Sequence, residues 1–137
     1  MMGTFLDKRS SMNSNTVGSP GTALTTTPAL FGIIGLQTQN VANPIVTLSG
    51  TIGISGDFGD TYTIEIVRGA SYSAANVIYT AVGVVTAVAT TQITAFTAQD
   101  LLAPAALETV YTSFVSGATT SVRNGPEVFS GEASTSA

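Results

Sequence analysis

The sequence predicts an all-β protein, with a jelly-roll or β-sandwich head and an extended N-terminal arm. Two observations favour strands. The chain of 137 residues holds 22 threonines and is rich in valine and isoleucine, which are stiff at χ1 and prefer strands. Short segments in which apolar and polar residues alternate are separated by turn-forming residues, and no helical period is sustained. A third observation sets the arm apart, because the first part of the chain is poor in core-forming residues.

Residues 1–27 are predicted to form a connector arm. Ser10–Thr27 consists mostly of Ser, Thr, Asn and Gly, with Pro20, a composition that is typical of an extended linker. An aromatic and an aliphatic residue precede it together with a basic pair, which would suit an anchor on another subunit. The predicted inter-subunit connector residues are Phe5, Leu6, Lys8 and Arg9. The alternative is a disordered tail without a role.

Residues 28–137 are predicted to form the head. Ala29–Leu36 is an apolar run of the length of a buried strand. Beyond a break at Asn43-Pro44, apolar and polar residues alternate from Val46, and they alternate again after the turn-like Ser55–Asp60. The whole unit Val46–Arg68 is therefore predicted to be a β-hairpin.

The rest of the head offers further strands. Asn124-Gly125 is a hairpin-turn signal, and the following Pro126 requires an edge or loop position. Gln99–Pro104 is compatible with one helical turn or a tight loop. The further predicted strands are Asn76–Val88 (as one strand or as two broken near Gly83), Gln92–Thr97, Thr109–Ser116 and Val128–Ala133. Seven or eight short strands in total predict a sandwich or jelly roll.

The composition excludes most catalytic chemistry. The chain has no His and no Cys, so it has no thiol nucleophile, no disulfide and no side chain with an ordinary pKa near neutrality. A glycosidase can work with two carboxylates alone, but nothing singles out a pair of acids here. We therefore expect no enzyme activity and no cofactor.

Two patterns in the sequence could mark binding sites. Asp57-Phe58-Gly59 matches the magnesium-binding tripeptide of protein kinases, but the other kinase motifs are missing, so the match is coincidental. Calcium needs six to eight oxygens and this turn offers the side chains of only Asp57 and Asp60, so no metal site is predicted. Four tyrosines would either line a sugar-binding surface or pack in a core or an interface. They are Tyr62, Tyr72, Tyr79 and Tyr111.

The charge content favours self-association. Charged residues make up 9% of the chain against about 25% in an average soluble domain, and so few charges protect a monomer poorly against association. The net charge of −4 argues against a nucleic-acid partner. Residues 1–27 carry one acid and two bases, a net +1, and the remainder carries seven acids and two bases, a net −5. A basic arm could thus dock on a neighbour's acidic body.

The C-terminal half resembles a known family. The segments Gln99–Pro104, Glu108–Val115 and Arg123–Ala133 resemble the C-terminal part of small β-rich spore-surface proteins of Bacillus-type bacteria, and the layout resembles subunits of the F-type bacterial endospore appendages. The resemblance implies trimeric, TNF-like jelly-roll heads over residues 28–137, stacked head to tail. It also implies that residues 1–27 join one trimer to the next. The chain lacks both the N-terminal cysteines of another class of spore appendage and the Gly-X-Y repeat of collagen-like spore filaments.

Location and function follow as expectations. No apolar signal region follows the N-terminus, and the longest apolar stretch, Val77–Ala89, is interrupted and too short for a membrane span of about 20 residues. We expect a structural subunit that assembles with itself into a fibre or pilus on the spore surface. It would be exported without a cleaved leader, with separate tip or anchor proteins as further partners. The alternatives are a bacteriophage virion decoration or fibre protein, located in the virion, and a carbohydrate-binding β-sandwich module.

Overall fold

The computed structural model describes residues 3–86 and 89–135, which form two antiparallel β-sheets packed as a sandwich. The strands are β1 (Phe5–Ser14), β2 (Thr22–Ala23), β3 (Ala29–Leu36), β4 (Ile45–Ser55), β5 (Thr61–Arg68), β6 (Val77–Val84), β7 (Gln92–Asp100), β8 (Thr109–Gly117) and β9 (Val122–Ser134). A short 3₁₀ turn, Ala74–Asn76, precedes β6. None of the described residues belongs to a helix with the length and apolar character needed to cross a membrane.

The strand order is that of a sandwich whose chain passes repeatedly between the sheets. The first sheet has the order β1-β9-β4-β7, with the two-residue β2 also paired to β9, and the second has the order β3-β8-β5-β6. Without β2 there are eight strands, four in each sheet, which is the number in a jelly roll. The predicted all-β sandwich is confirmed.

The core lies between the sheets and is centred on aromatic rings. Phe96 of β7 packs edge-on against Phe31 and stacks on Tyr79 and Phe129, with ring centroids 6.0 to 6.5 Å apart. Gly50 of β4 lies opposite Phe96 in the register, and a Cβ atom there would overlap the Phe96 ring. This glycine is therefore required for the close approach of β4 to the Phe96 ring.

The predicted hairpin over Val46–Arg68 is wrong. Both strands exist as β4 and β5, but they lie in different sheets and do not pair with each other. Their apolar residues face the core from opposite sides, and alternation is the same whether two strands pair or face each other across a core. The turn between them crosses from one sheet to the other.

The predicted turn at Asn124-Gly125 is also wrong. Both residues and Pro126 lie inside β9, which pairs with β1 and β4 on its two sides. The register to β4 shifts at this point, from Ile52 opposite Glu127 to Ile54 opposite Arg123. Gly125 has a φ of +67°, and the irregularity tolerates a proline that has no N–H to donate.

The other strand predictions agree well with the structure. β3 matches Ala29–Leu36, β8 matches Thr109–Ser116 within one residue, and β7 extends the predicted Gln92–Thr97 by three residues. The predicted strand Asn76–Val88 corresponds to β6, and its last two residues lie outside the described ones. Residues 101–104 follow β7 as a loop without a helical turn.

Residues 1–27 differ from a free linker. β1 runs along the edge of β9 and supplies one of the eight strands of the sandwich, and Leu24 is 2% exposed in the core. The predicted boundary between residues 27 and 28 therefore falls within the sandwich of this single chain. Two register shifts in β1, next to Phe5 and next to Ser14, disturb the period of two by which a strand is recognised.

Candidate assembly surfaces

The four predicted connector residues occupy the outer part of β1. Phe5 is 63% exposed, Lys8 and Arg9 are exposed, and Leu6 is half-buried against the core cluster. Lys8 lies opposite Glu132 in the pairing of β1 with β9. The structure thus places Leu6 in a contact within its own chain and leaves Phe5 with most of its surface in solvent.

Asp7 fastens this end of β1 to the second sheet. Its carboxylate accepts hydrogen bonds from the backbone N–H of Gln37 at 2.8 Å and from Arg9 Nε at 2.9 Å. The bond from Gln37 contributes most to holding the pKa of Asp7 below its ordinary value, and the bond from Arg9 adds to it. Since Gln37 follows β3, its bond to Asp7 spans the two sheets at their outer edges, whereas the bond from Arg9 lies within β1.

A buried ion pair lies beneath the other end of β1. Glu127 of β9 is fully buried and accepts two hydrogen bonds from Arg123, at 2.7 and 2.8 Å. Asn13 of β1 donates a third bond to Glu127 at 2.8 Å, and Arg123 donates to the carbonyl of Leu30 at 3.3 Å. The site that receives β1 on β9 therefore ends in a polar network that Asn13 completes. We call this site, β9 residues 127–134, the β1 seat.

The exposed large apolar side chains of the described chain lie mostly at the two ends of the sandwich and along its two lateral edges. Tyr72 is an exception, since it lies on the outer face of the second sheet, where it packs against Phe114 and bonds to Glu65. At the end where β7 finishes they are Phe5, Leu101, Leu102 and Leu107, and at the opposite end Val17 and Phe58. Along the β1–β3 edge they are Met12, Leu30 and Ile33, and along the β6–β7 edge Val82, Val84 and Ile93.

The edge strands lack the usual protection against pairing with other chains. β3 and β6 contain no charged residue and no proline, and β7 carries only Asp100 at its last position. Long edge strands without charge or proline are templates for association. β1 differs, since it carries an acid and a basic pair.

The end of the sandwich that carries the leucines, here called the leucine end, is braced by an inter-sheet ion pair. Arg68 at the end of β5 donates to both carboxylate oxygens of Asp100 at the end of β7, at 2.6 and 2.7 Å, and Tyr111 donates to Asp100 at 2.7 Å. Burial raises the pKa of Asp100, but the hydrogen bonds from Arg68 and Tyr111 outweigh it and hold that pKa below the ordinary value. Burial and the neighbouring Asp100 carboxylate raise the pKa of Tyr111.

A cavity of about 540 Å³ opens beside this ion pair. Its lining combines apolar side chains with the polar residues at the ends of β5 and β7. The residues are Arg68, Val77, Ile78, Gln99, Asp100, Leu101 and Leu102. Nothing in the alternating pattern of the sequence predicts this cavity. The signal that could have indicated it is the pair of adjacent leucines that follows a strand, Leu101 and Leu102.

The acidic turn is occupied by internal hydrogen bonds. One carboxylate oxygen of Asp60 accepts bonds from the hydroxyls of Thr120 and Ser121, both at 2.7 Å, and these bonds lower the pKa of Asp60. Within residues 3–86 and 89–135, no three acidic side chains come together as a metal site would require. The turn serves to fix the chain between the sheets.

The four tyrosines do not share one exposed surface. Tyr62 and Tyr111 are buried, Tyr79 is half-buried and stacks on Phe96, and Tyr72 packs edge-on against Phe114 with ring centroids 5.3 Å apart. The aromatic platform on which a carbohydrate-binding module would depend is not formed by these residues.

Comparisons with known proteins support the fold. No protein-family model matches the chain, and no curated protein matches it either. Among solved structures, the chain is similar to PRD1 vertex protein P5 (13% identity, TM-score 0.50, 97% of this chain and 99% of that one). It is also similar to Eiger TNF from S. frugiperda (9% identity, TM-score 0.50, 95% and 92%). A third similar structure is that of Bacillus endospore appendages, described as disulfide-linked pili (16% identity, TM-score 0.48, 99% and 93%).

At these identities the likeness concerns the fold alone. The two structures with TM-scores of 0.50 support a TNF-like jelly roll for this chain.

Proposed function

We propose that this chain is a structural subunit that assembles with itself, as stacked trimers joined by their N-terminal residues, into a fibre or pilus on the spore surface. The observation that carries the proposal is the placement of exposed apolar side chains at the ends and edges of the sandwich. Contacts there add copies along or beside one another, and contacts that do not close on themselves give filaments.

The low charge supports the same proposal. Three of the four edge strands carry almost no charged side chains: β3 and β6 have none, and β7 has only Asp100 at its end. Association through these edges therefore removes few charges from water. Each 100 Å² of apolar surface buried between copies contributes about 2.5 kcal/mol before the entropy cost of association. The spore surface as the location rests on the resemblance of residues 99–133.

The connecting role of residues 1–27 fits a strand exchange. β1 pairs on one side only, and the β1 seat of every copy is identical, so a neighbour's β1 can make the same hydrogen bonds and the same Asn13–Glu127 contact. Residues 15–21, between β1 and β2, would act as the hinge and can span at most about 25 Å. Phe5, with most of its surface free, would contact the neighbouring head, and Leu6, Lys8 and Arg9 would remake their contacts on it.

Electron microscopy of the purified protein tests this function. We expect fibres from the full-length chain and compact trimers from a chain lacking residues 1–20. Because the truncation empties the β1 seat, a synthetic peptide of residues 1–20 is added as a control. It refills the seat but cannot connect two heads, so it should stabilise the trimers without restoring fibres.

Two results would contradict the proposal. Long fibres from the truncated chain would show that residues 1–20 do not connect subunits. Separate compact particles from the full-length chain, together with antibody labelling of phage particles rather than spores, would favour the virion alternative.

A further inference from the structure

We propose that Phe58 of one copy inserts into the leucine-end cavity of the next copy and that Asp57 pairs there with Arg68. This inference rests on the proposed function, because it names the surfaces through which copies would stack end to end. It differs from the N-terminal connection, since neither surface includes any residue of β1.

The exposure of Phe58 is a fixed feature of its turn. Phe58 is 73% exposed at the tip of the turn formed by residues 56–60. Gly59, which follows Phe58, has a φ of +90°. Asp60 donates its backbone N–H to the carbonyl of Asp57 at 3.0 Å, and Gly59 donates to the carbonyl of Val85 at 2.9 Å. Together with the hydroxyl bonds to Asp60, these contacts hold the turn, so an aromatic ring is presented to solvent at little further cost in entropy.

The cavity lies at the far end of the same strand. Asp100, which borders it, pairs with Val46 near the start of β4, whereas the Phe58 turn follows the end of β4 at Ser55. Nine residues of strand place the two sites about 30 Å apart. Phe58 therefore cannot reach the cavity of its own chain, but it can reach that of a copy displaced along the strand direction.

Shape and charge favour this occupant. The cavity of about 540 Å³ has walls of Val77, Ile78, Leu101 and Leu102, and it is roomy enough for an aromatic side chain. Leu102 is 77% exposed and would be covered by the ring. Burying an aromatic anchor in an apolar pocket is the contact type that dominates binding at interfaces.

The ion pair leaves donors for a partner. Arg68 uses Nε and Nη2 to bind Asp100, and its Nη1 has no hydrogen-bond partner among the described residues. The carboxylate of Asp57 likewise has no partner in the described part of the chain, whereas that of Asp60 is occupied. An acid beside the ring thus matches a guanidinium beside the cavity.

A contact of this kind can repeat along a fibre. The two surfaces lie at opposite ends of one chain, so each bound copy still offers one turn and one cavity. The contact would therefore add to joints that residues 1–20 hold together, and it would not form fibres without them. In stacked trimers three such contacts would form at each joint and reinforce one another.

Cysteine cross-linking of the full-length chain tests the inference. The chain has no cysteine of its own, and positions 58 and 102 are too far apart in one chain to form a disulfide. Under mild oxidation, Phe58→Cys combined with Leu102→Cys should give a ladder of dimers, trimers and larger species on a non-reducing gel. The matched control pairs Phe58→Cys with Ala95→Cys, an exposed position in the middle of β7 that belongs to neither proposed surface, and should remain monomeric on the gel.

A second variant measures the contribution of the ring. Phe58→Ser should raise the dissociation constant of end-to-end association at least about tenfold, measured by sedimentation, while Ala95→Ser leaves it unchanged. Fibres from the unmodified chain together with no 58–102 ladder, or with unchanged association of Phe58→Ser, would overturn the inference and leave the proposed function standing. A 58–102 ladder from a chain that forms no fibres would support the contact between Phe58 and the cavity and would contradict the proposed function as a fibre subunit.

Discussion

Arg68 and Asp100 join the two sheets of the sandwich through a two-pronged ion pair. The Arg68 guanidinium meets both carboxylate oxygens, at 2.6 and 2.7 Å, and the Asp100 side chain is 3% exposed. Tyr111 and the backbone N–H of Leu102 also donate to this carboxylate. The pair thus ties the second sheet to the loop that presents the exposed leucines.

Loss of the Asp100 charge should destabilise the fold. We expect Asp100→Asn to lower the free energy of unfolding by about 2 to 4 kcal/mol, because it leaves Arg68 half-buried without its counter-ion. Urea unfolding at neutral pH measures this. Asp57→Asn, which removes an exposed carboxylate from a turn, is the control and should leave the value unchanged. An equally stable Asp100→Asn variant would show that the pair contributes little.

The same pair predicts the direction of the pH dependence. The pKa of Asp100 is lower in the folded chain than in the unfolded chain, so its contribution to stability is present above the unfolded-state pKa. That contribution is lost as the pH falls through the folded-state pKa. Unfolding of Asp100→Asn should therefore depend less on pH over the acid range than unfolding of the unmodified chain, and parallel curves would contradict this.

The buried pair Arg123–Glu127 should contribute less to the free energy of unfolding than the loss caused by removing one partner alone would indicate. Glu127→Gln leaves a buried guanidinium without its counter-ion and should cost about 3 to 5 kcal/mol. The double variant Arg123→Met with Glu127→Leu removes both charges and should be more stable than Glu127→Gln. Thermal unfolding of the two variants measures the difference, and a double variant that is the less stable would refute the prediction.

Gly50 should not tolerate a side chain. Gly50→Val would push a branched side chain into the Phe96 ring and the carbonyl of Val128, and we expect it to cost about 1 to 3 kcal/mol or to prevent folding. Thr51→Val on the same strand, with its side chain on the opposite face, is the control and should be nearly neutral. Near-ultraviolet circular dichroism of the aromatic cluster and urea unfolding check both, and normal stability of Gly50→Val would contradict the packing.

Strands that alternate or run apolar could be predicted from the sequence, but their partners could not. β3 and β8 were predicted almost to the residue, since burial of their side chains is encoded locally. β4 and β5 were recognised as strands and paired wrongly, because alternation does not say whether two strands share a sheet. The sequence predicts a turn at Asn124-Gly125, but these residues form an irregularity inside the single strand β9.

The candidate surfaces were harder to predict. β1 was not predicted as a strand, because its register shifts disrupt the alternation of apolar and polar residues and its outer side chains are polar. Arg68 and Asp100 are 32 residues apart, and only the folding of both sheets brings them together beside the cavity. The sequence places Phe58 in a turn and in a kinase-like tripeptide, and neither pattern predicts that its ring is exposed. That exposure depends on the hydrogen bonds that hold the turn in the folded chain.

The central claim, that residues 1–27 connect copies, is tested most directly by a disulfide at the β1 seat. Ser10→Cys with Ser130→Cys joins positions that lie opposite each other in the pairing of β1 with β9, and Ser49→Cys with Ser130→Cys is the matched control within the head. After oxidation of assembled protein, our account predicts a ladder of linked chains for the 10–130 pair and single chains for the 49–130 pair. Single chains for both pairs, in a sample that contains fibres, would show that β1 stays on its own head and would contradict the account.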